Sequence, residues 1–199
     1  MSILLFAESE NNKLKRNAAE IASYGAALAG KLNKDCVAVS FNADNAQELG
    51  QFGVSKAFNI TNVPQQFDAH VYANVLTHYI KSLGATHIIL GSSADAKFLA
   101  PLVAANTNAA YVPNVVALPH EQQPLTVRRT VFTNKAFAST TLTAEVNIIG
   151  VGNNAFGTVE QAVDCVVEHA TVEHAASHVE QLSISKETGK ATIADADVV

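Results

Sequence analysis

Ile3-Leu4-Leu5-Phe6-Ala7 is an unbroken apolar run near the head of the chain. Cys36-Val37-Ala38-Val39-Ser40-Phe41 and Thr86-His87-Ile88-Ile89-Leu90 repeat its character further along. A strand with one wet face alternates polar and apolar residues. A run without alternation is buried on both faces, as in a parallel sheet covered by helices. The segments between these runs carry helical spacing. Leu14, Ala18, Ile21, Gly25, Leu28 and Leu32 recur every three or four residues, which predicts a helix from about Lys13 to Leu32. Asn45 to Gly50 reads as a short helix and Lys56 to Ile60 as a short strand. Asp68 stands as an N-cap before a helix from Ala69 to Leu83, whose stripe is Val71, Val75, Leu76, Tyr79, Ile80 and Leu83, with Gly84 as the stop. A further helix runs from about Ala94 to Asn106. Strand–helix alternation with two-faced strands predicts an α/β domain: a three-layer, doubly wound, mostly parallel sheet with right-handed crossovers.

The pattern changes after Asn106. Val112 to Leu118, Thr126 to Thr133, Ala138 to Glu145 and Asn147 to Val151 are strand-like with no helix between them, and antiparallel extensions of the sheet are the expectation. Val163 to Val172 reads as one more strand. These elements make a domain over residues 1–173. The polar stretch 174–190 reads as a linker, and 191–199 as the opening of another strand.

The chain has 199 residues, enough for one sizeable core. Net charge is 13 − 18 = −5 and no Lys/Arg stripe breaks it, which disfavours a nucleic-acid partner. Charged residues make up 16%, against about 25% in an ordinary soluble domain, and this favours a surface covered by a partner. Cys36 and Cys165 sit in apolar runs and read as small core residues of a reducing compartment. No apolar run is long enough to span a membrane, and the first residues enter a strand without the basic leader of a secretory signal.

Few motifs carry chemistry. Gly91-Ser92-Ser93-Ala94-Asp95 follows a buried strand and opens a helix, so it is either a phosphate-holding lip or a strand–helix turn with a Ser cap. No Walker pattern and no GxGxxG accompanies it, and Gly150-Val151-Gly152-Asn153-Asn154 lacks the third glycine. His174 and His178 have i, i+4 spacing near His169, which suits either a metal clamp or a solvated face. His87, within an apolar strand, reads as a satisfied histidine of the core or rim. Lys13, Lys15 and Arg16 fall in the first turn of the predicted helix, the wrong end for its dipole, and read either as a docking feature or as solvated residues. No GxSxG elbow and no acid–base constellation is visible, which counts against a hydrolase of this fold. No catalytic, cofactor-binding or metal-binding residue is therefore assigned.

The order of several segments resembles the alpha subunit of electron transfer flavoprotein. Ile3 to Glu8, Leu14-Lys15 and Glu20 look like its opening, and His87 to Leu90 with Lys97, Pro101 and Ala104-Ala105 look like its middle. Arg129-Thr130-Val131-Phe132-Thr133-Asn134-Lys135-Ala136-Phe137-Ala138 is similar to its Arg-x-x-aromatic-small-Gly-(Asn/Lys)-Ala segment, and Asn147 to Phe156 to the following strand. Asn134 stands where the family has glycine, Gly152 where an arginine is often found, and Pro101-Leu102 where Pro-Arg is usual. The resemblance implies an adenine nucleotide alpha hydrolase-like fold. It also implies an electron carrier subunit, not an enzyme, that pairs with a beta subunit. FAD would belong to a second domain opening at about 191–199, and the stretch in hand would carry none. Electrons would pass from acyl-CoA and related dehydrogenases, in fatty acid beta-oxidation, to a membrane quinone oxidoreductase. The setting would be a bacterial cytoplasm, or the mitochondrial matrix if the source is eukaryotic. Arg129, Phe132 and Phe137 are then expected at an interface or in strand packing. The alternative from another class is a stand-alone adenine-nucleotide-binding module that uses Gly91 to Asp95.

Overall fold

A computed structural model describes residues 2–174, 176–177 and 182–183. The expected linker lies largely outside the described residues, and the expected strand at 191–199 wholly so. The chain runs β1 (Ser2–Ala7), β2 (Ser9–Glu10), β3 (Lys13–Leu14), α1 (Asn17–Leu32), β4 (Asp35–Phe41), a 3-10 helix (Ala46–Gln51), β5 (Lys56–Ile60), α2 (Ala69–Ser82), β6 (His87–Leu90) and α3 (Ala94–Thr107). Then come β7 (Ala110–Val115), β8 (Glu121–Gln122), β9 (Leu125–Val131), β10 (Ala136–Leu142), β11 (Asn147–Val151) and β12 (Val166–Ala170).

The central sheet has the order β10-β9-β7-β11-β6-β1-β4-β5-β12, with β8 paired to β9. Its strands from β7 to β12 in that order are parallel, apart from the β7–β9 pair that begins the antiparallel flank. The two-faced runs explain the layers. Ile3, Leu5 and Ala7 face a core shared with Ile21, Tyr24 and Leu28 of α1. Leu4 and Phe6 face a second core with Val75, Leu76 and Ile80 of α2 and Leu99 and Val103 of α3. The predicted three-layer, mostly parallel α/β fold is the fold observed.

Two expectations are corrected. α1 begins at Asn17, not at Lys13. Residues 9–14 form the β2–β3 hairpin, turned by Asn11 and Asn12 at φ 51 and 62. Paired left-handed residues are what a two-residue hairpin turn needs, and Asn reaches that region more readily than most. The antiparallel reading of the later strands holds for β9 and β10 but fails for β11, which lies between β7 and β6 and is parallel to both. Its five residues are all buried. A strand with no wet face belongs in the sheet's interior, and the β9–β10 excursion carries the chain out to the edge before β11 returns. β7 is likewise parallel to β11, and its run includes Pro113 and Asn114 at φ 57, beside a register shift.

The chain beyond β12 is pinned at the upper edge of the sheet. Asn62 donates to Val172 O at 2.9 Å and accepts from Val172 N at 3.1 Å. His174 Nε2 lies 3.0 Å from Asn62 O, and Ser177 donates to Asp68.

Candidate functional site

β1 and β6 are neighbours, and the chain leaves them in opposite directions: through α1 to β4, and through α3 to β7. Their carboxyl ends define the switch point at which open α/β sheets form a crevice. A cavity of about 580 Å3 opens beside them, walled by Phe6, Phe67 and Tyr72 and by the charged groups Glu8, Lys15 and Asp95.

Glu8 follows β1 directly and is 4% exposed. Lys15 Nζ lies 3.2 Å from Glu8 Oε2 and 3.2 Å from Asp95 Oδ2. Ser93 Oγ donates to Glu8 Oε2 at 2.7 Å. Glu8 Oε1 has no hydrogen-bond partner among the described residues. Burial works against the Lys15 ammonium, but Glu8 and Asp95 outweigh it and its pKa ends above the ordinary lysine value. Gly91 allows the close approach. A Cβ there would sit 2.9 Å from Asn17 Nδ2 and 3.2 Å from Glu8 Oε1. Lys15 is thus part of an ion cluster that ties the β1 loop to α3, and the expectation of a solvated residue is corrected. Its position in a hairpin exit, not on a helix face, aims it inward.

The Gly91–Asp95 segment is a capped strand–helix turn. Ser93 Oγ accepts from Ala96 N at 3.0 Å, and Ser92 Oγ donates to Val151 O at 2.6 Å. Both hydroxyls are engaged within the fold, and Asp95 places a carboxylate in the first turn of α3. Glu8 and Asp95 each lie 3.2 Å from the single Lys15 ammonium, so the fixed charge beside this turn sums to net negative, which disfavours a phosphate there.

The loop after β11 is held by a residue that the sequence reading mentioned only in passing. Glu20, on α1 and 6% exposed, accepts from Asn154 N at 2.9 Å, Phe156 N at 2.8 Å and Gly157 N at 2.9 Å. One internal carboxylate therefore satisfies three backbone N–H groups of residues 154–157, a stretch that includes the end of the Gly150–Asn154 segment. Phe156 packs edge-on against Tyr24 with ring centroids 5.2 Å apart.

The β9–β10 hairpin projects from the sheet's edge. Its tip residues Phe132, Thr133 and Asn134 all have positive φ, at 52, 54 and 62. Phe132 is 79% exposed and Phe137 58%, and the Arg128 guanidinium lies 4.0 Å from the Phe137 ring centre. Arg129 turns to the other face, where its Nε donates to Thr140 Oγ1 at 3.1 Å. Phe98 on α3, 70% exposed, is an aromatic that the sequence reading missed.

His87 Nδ1 is 2.9 Å from Thr86 Oγ1 and 3.5 Å from Lys34 Nζ, and burial, then Lys34, push its pKa down to about 4. His169 Nδ1 is 3.4 Å from Asn59 Nδ2. His178 lies outside the described residues, and among those described no three His, Cys, Asp or Glu groups are placed to hold a metal. Cys36 is buried, Cys165 half-buried, and both are free thiols. Among the described residues no helix is long and apolar enough to cross a membrane.

Fold and crevice together define a doubly wound three-layer α/β domain whose switch-point crevice is lined by its own ion cluster. The chain belongs to the electron transfer flavoprotein family: the model of the electron transfer flavoprotein domain matches residues 3–183. No curated protein matches the chain. Proteins of this family are electron carriers, and full-length members bind flavin. The crevice described here does not fit a flavin dinucleotide. Glu8, Glu10, Asp68 and Asp95 line it against Lys15, so a diphosphate would lie among carboxylates.

Proposed function

We propose that this domain is the N-terminal scaffold of an electron transfer flavoprotein alpha subunit, pairing with a beta subunit and holding no flavin itself. The observation that carries the reading is the exposed aromatic and cationic group on the β9–β10 hairpin, Phe132, Phe137 and Arg128, with Phe98 nearby in sequence to the crevice turn. Aromatic residues and Arg are the types enriched in interface cores, where they bury much area at small entropic cost. The low charged fraction agrees with a covered face. In this reading the assembled protein takes electrons from acyl-CoA and related dehydrogenases and delivers them to a membrane quinone oxidoreductase. It works in a bacterial cytoplasm or, in a eukaryote, in the mitochondrial matrix. The redox chemistry belongs to FAD held by another domain, and this domain supplies position and rigidity.

Co-expression with a beta subunit of the family, followed by size-exclusion chromatography, tests the pairing. A co-eluting pair that dissociates when Phe132 and Phe137 are changed to Ser is expected. No complex under any condition would refute the scaffold role. Purified chain carrying a stoichiometric flavin absorption band would refute the claim that it holds none.

A further inference from the structure

A second concavity lies beyond the carboxyl ends of β7 and β11, apart from the switch-point crevice. It has a volume of about 630 Å3, within the range of small-molecule sites. Lys97 of α3 and Arg128 of β9 face it, and Asn114, Thr130 and Asn153 supply neutral hydrogen-bonding groups. No carboxylate lines it, in a chain whose net charge is −5. The walls are fixed from behind. The Glu20 carboxylate holds the 154–157 loop, Gly152 N donates to Val115 O at 2.8 Å, and the Arg128 guanidinium is stacked on Phe137. Gly152 leaves the floor open, since it contributes no side chain to the cleft.

We propose that this cleft binds a small phosphorylated molecule. Arg128 and Lys97 neutralise the phosphate dianion, Arg as a planar fork and Lys as a point charge. Asn114, Thr130 and Asn153 take the hydroxyl groups of the remainder. Two cations in a cleft free of acids match a dianion better than a single carboxylate. The rigid walls keep the ordering cost of binding low. The cleft shares Arg128 and Phe137 with the surface assigned above to the beta subunit, so it is tested on the chain without that partner.

Isothermal titration calorimetry of the full chain with ribose 5-phosphate, inorganic phosphate and unphosphorylated ribose tests it. Ribose 5-phosphate is expected to bind, more tightly than inorganic phosphate, and ribose not at all. Arg128→Gln and Lys97→Gln should each weaken binding about tenfold or more, and rising salt should weaken it further. Both side chains are exposed, so these variants keep the parent's unfolding midpoint. Gly152→Ala narrows the cleft without changing charge. A Cβ there meets nothing closer than 3.4 Å, so this variant folds and loses affinity. Three results would each overturn the proposal: no heat with ribose 5-phosphate, equal affinity for inorganic phosphate and the sugar phosphate, or affinity unchanged in both Gln variants.

Discussion

Removing the Glu20 carboxylate tests how the upper rim of the domain is held. Glu20→Ala leaves three backbone N–H groups, those of Asn154, Phe156 and Gly157, without their acceptor. Hydrogen bonds to a charged group contribute about 1.5–3 kcal/mol each. Asn154 and Gly157 are exposed and regain water, whereas Phe156 is half-buried and packed on Tyr24. The sum therefore falls well short of three full bonds, and the expected loss is about 2–4 kcal/mol. Glu20→Gln retains one carbonyl oxygen for Phe156 and Gly157 but sets an amide against Asn154 N, so about half that loss is expected. Urea unfolding followed by far-ultraviolet circular dichroism gives both numbers, provided the slope with denaturant is unchanged. A loss below about 0.5 kcal/mol for Glu20→Ala, the range of ordinary surface substitutions, would refute the claim that this carboxylate organises the loop. Equal losses for Ala and Gln would refute the hydrogen-bond accounting.

Lys15→Met deprives the buried Glu8 carboxylate of its only cation among the described residues while Ser93 remains, and a loss of about 2–4 kcal/mol is expected by urea unfolding, partly restored by adding Glu8→Gln. Asp68→Ala removes the acceptor of His70 N and Val71 N at the start of α2, and about 1 kcal/mol should be lost in the same assay. His87 takes up a proton near pH 6.5 in the unfolded chain but only near pH 4 in the folded one. Stability is then fully present above about pH 6.5 and erodes as pH falls to about 4. The loss is about 1–2 kcal/mol once partial exposure is discounted, and His87→Gln should flatten that slope in a pH series of unfolding curves. Burial, then Cys165, pushes the Cys36 thiol up to about 12, so Ellman's reagent at neutral pH should modify the less buried Cys165 first and Cys36 only on unfolding.

The layers were readable because they are written locally. β1, β4 and β6 lack polar alternation, and Asp68 and Gly84 bracket α2 with a cap and a left-handed stop. The hairpin at 9–14 was also written, in the Asn-Asn pair. It was masked because Leu14 falls in step with the α1 stripe, and spacing alone cannot tell a true first turn from a coincidence. The place of β11 was not local information. A short apolar strand carries no mark of its partners, and only the completed sheet shows that the central slot between β6 and β7 is filled by a later segment. The site residues divide along the same line. Phe132 and Phe137 stood out as aromatics in a matched segment, whereas what Glu8, Lys15 and Glu20 hold became visible only when folding brought Asp95, Ser93 and the 154–157 loop to them. A lone charged residue in a sequence does not say whether it meets water or a partner.

The Asn62 clamp has a mechanical consequence. β1 enters the sheet at the lower rim, and β12, parallel to it, delivers the chain to the upper rim. Tension applied between Ser2 and Val172 therefore pulls along the strands. It loads the five β12–β5 pairs together in shear instead of unzipping them one by one. The reciprocal Asn62–Val172 bonds sit at the point where that load enters.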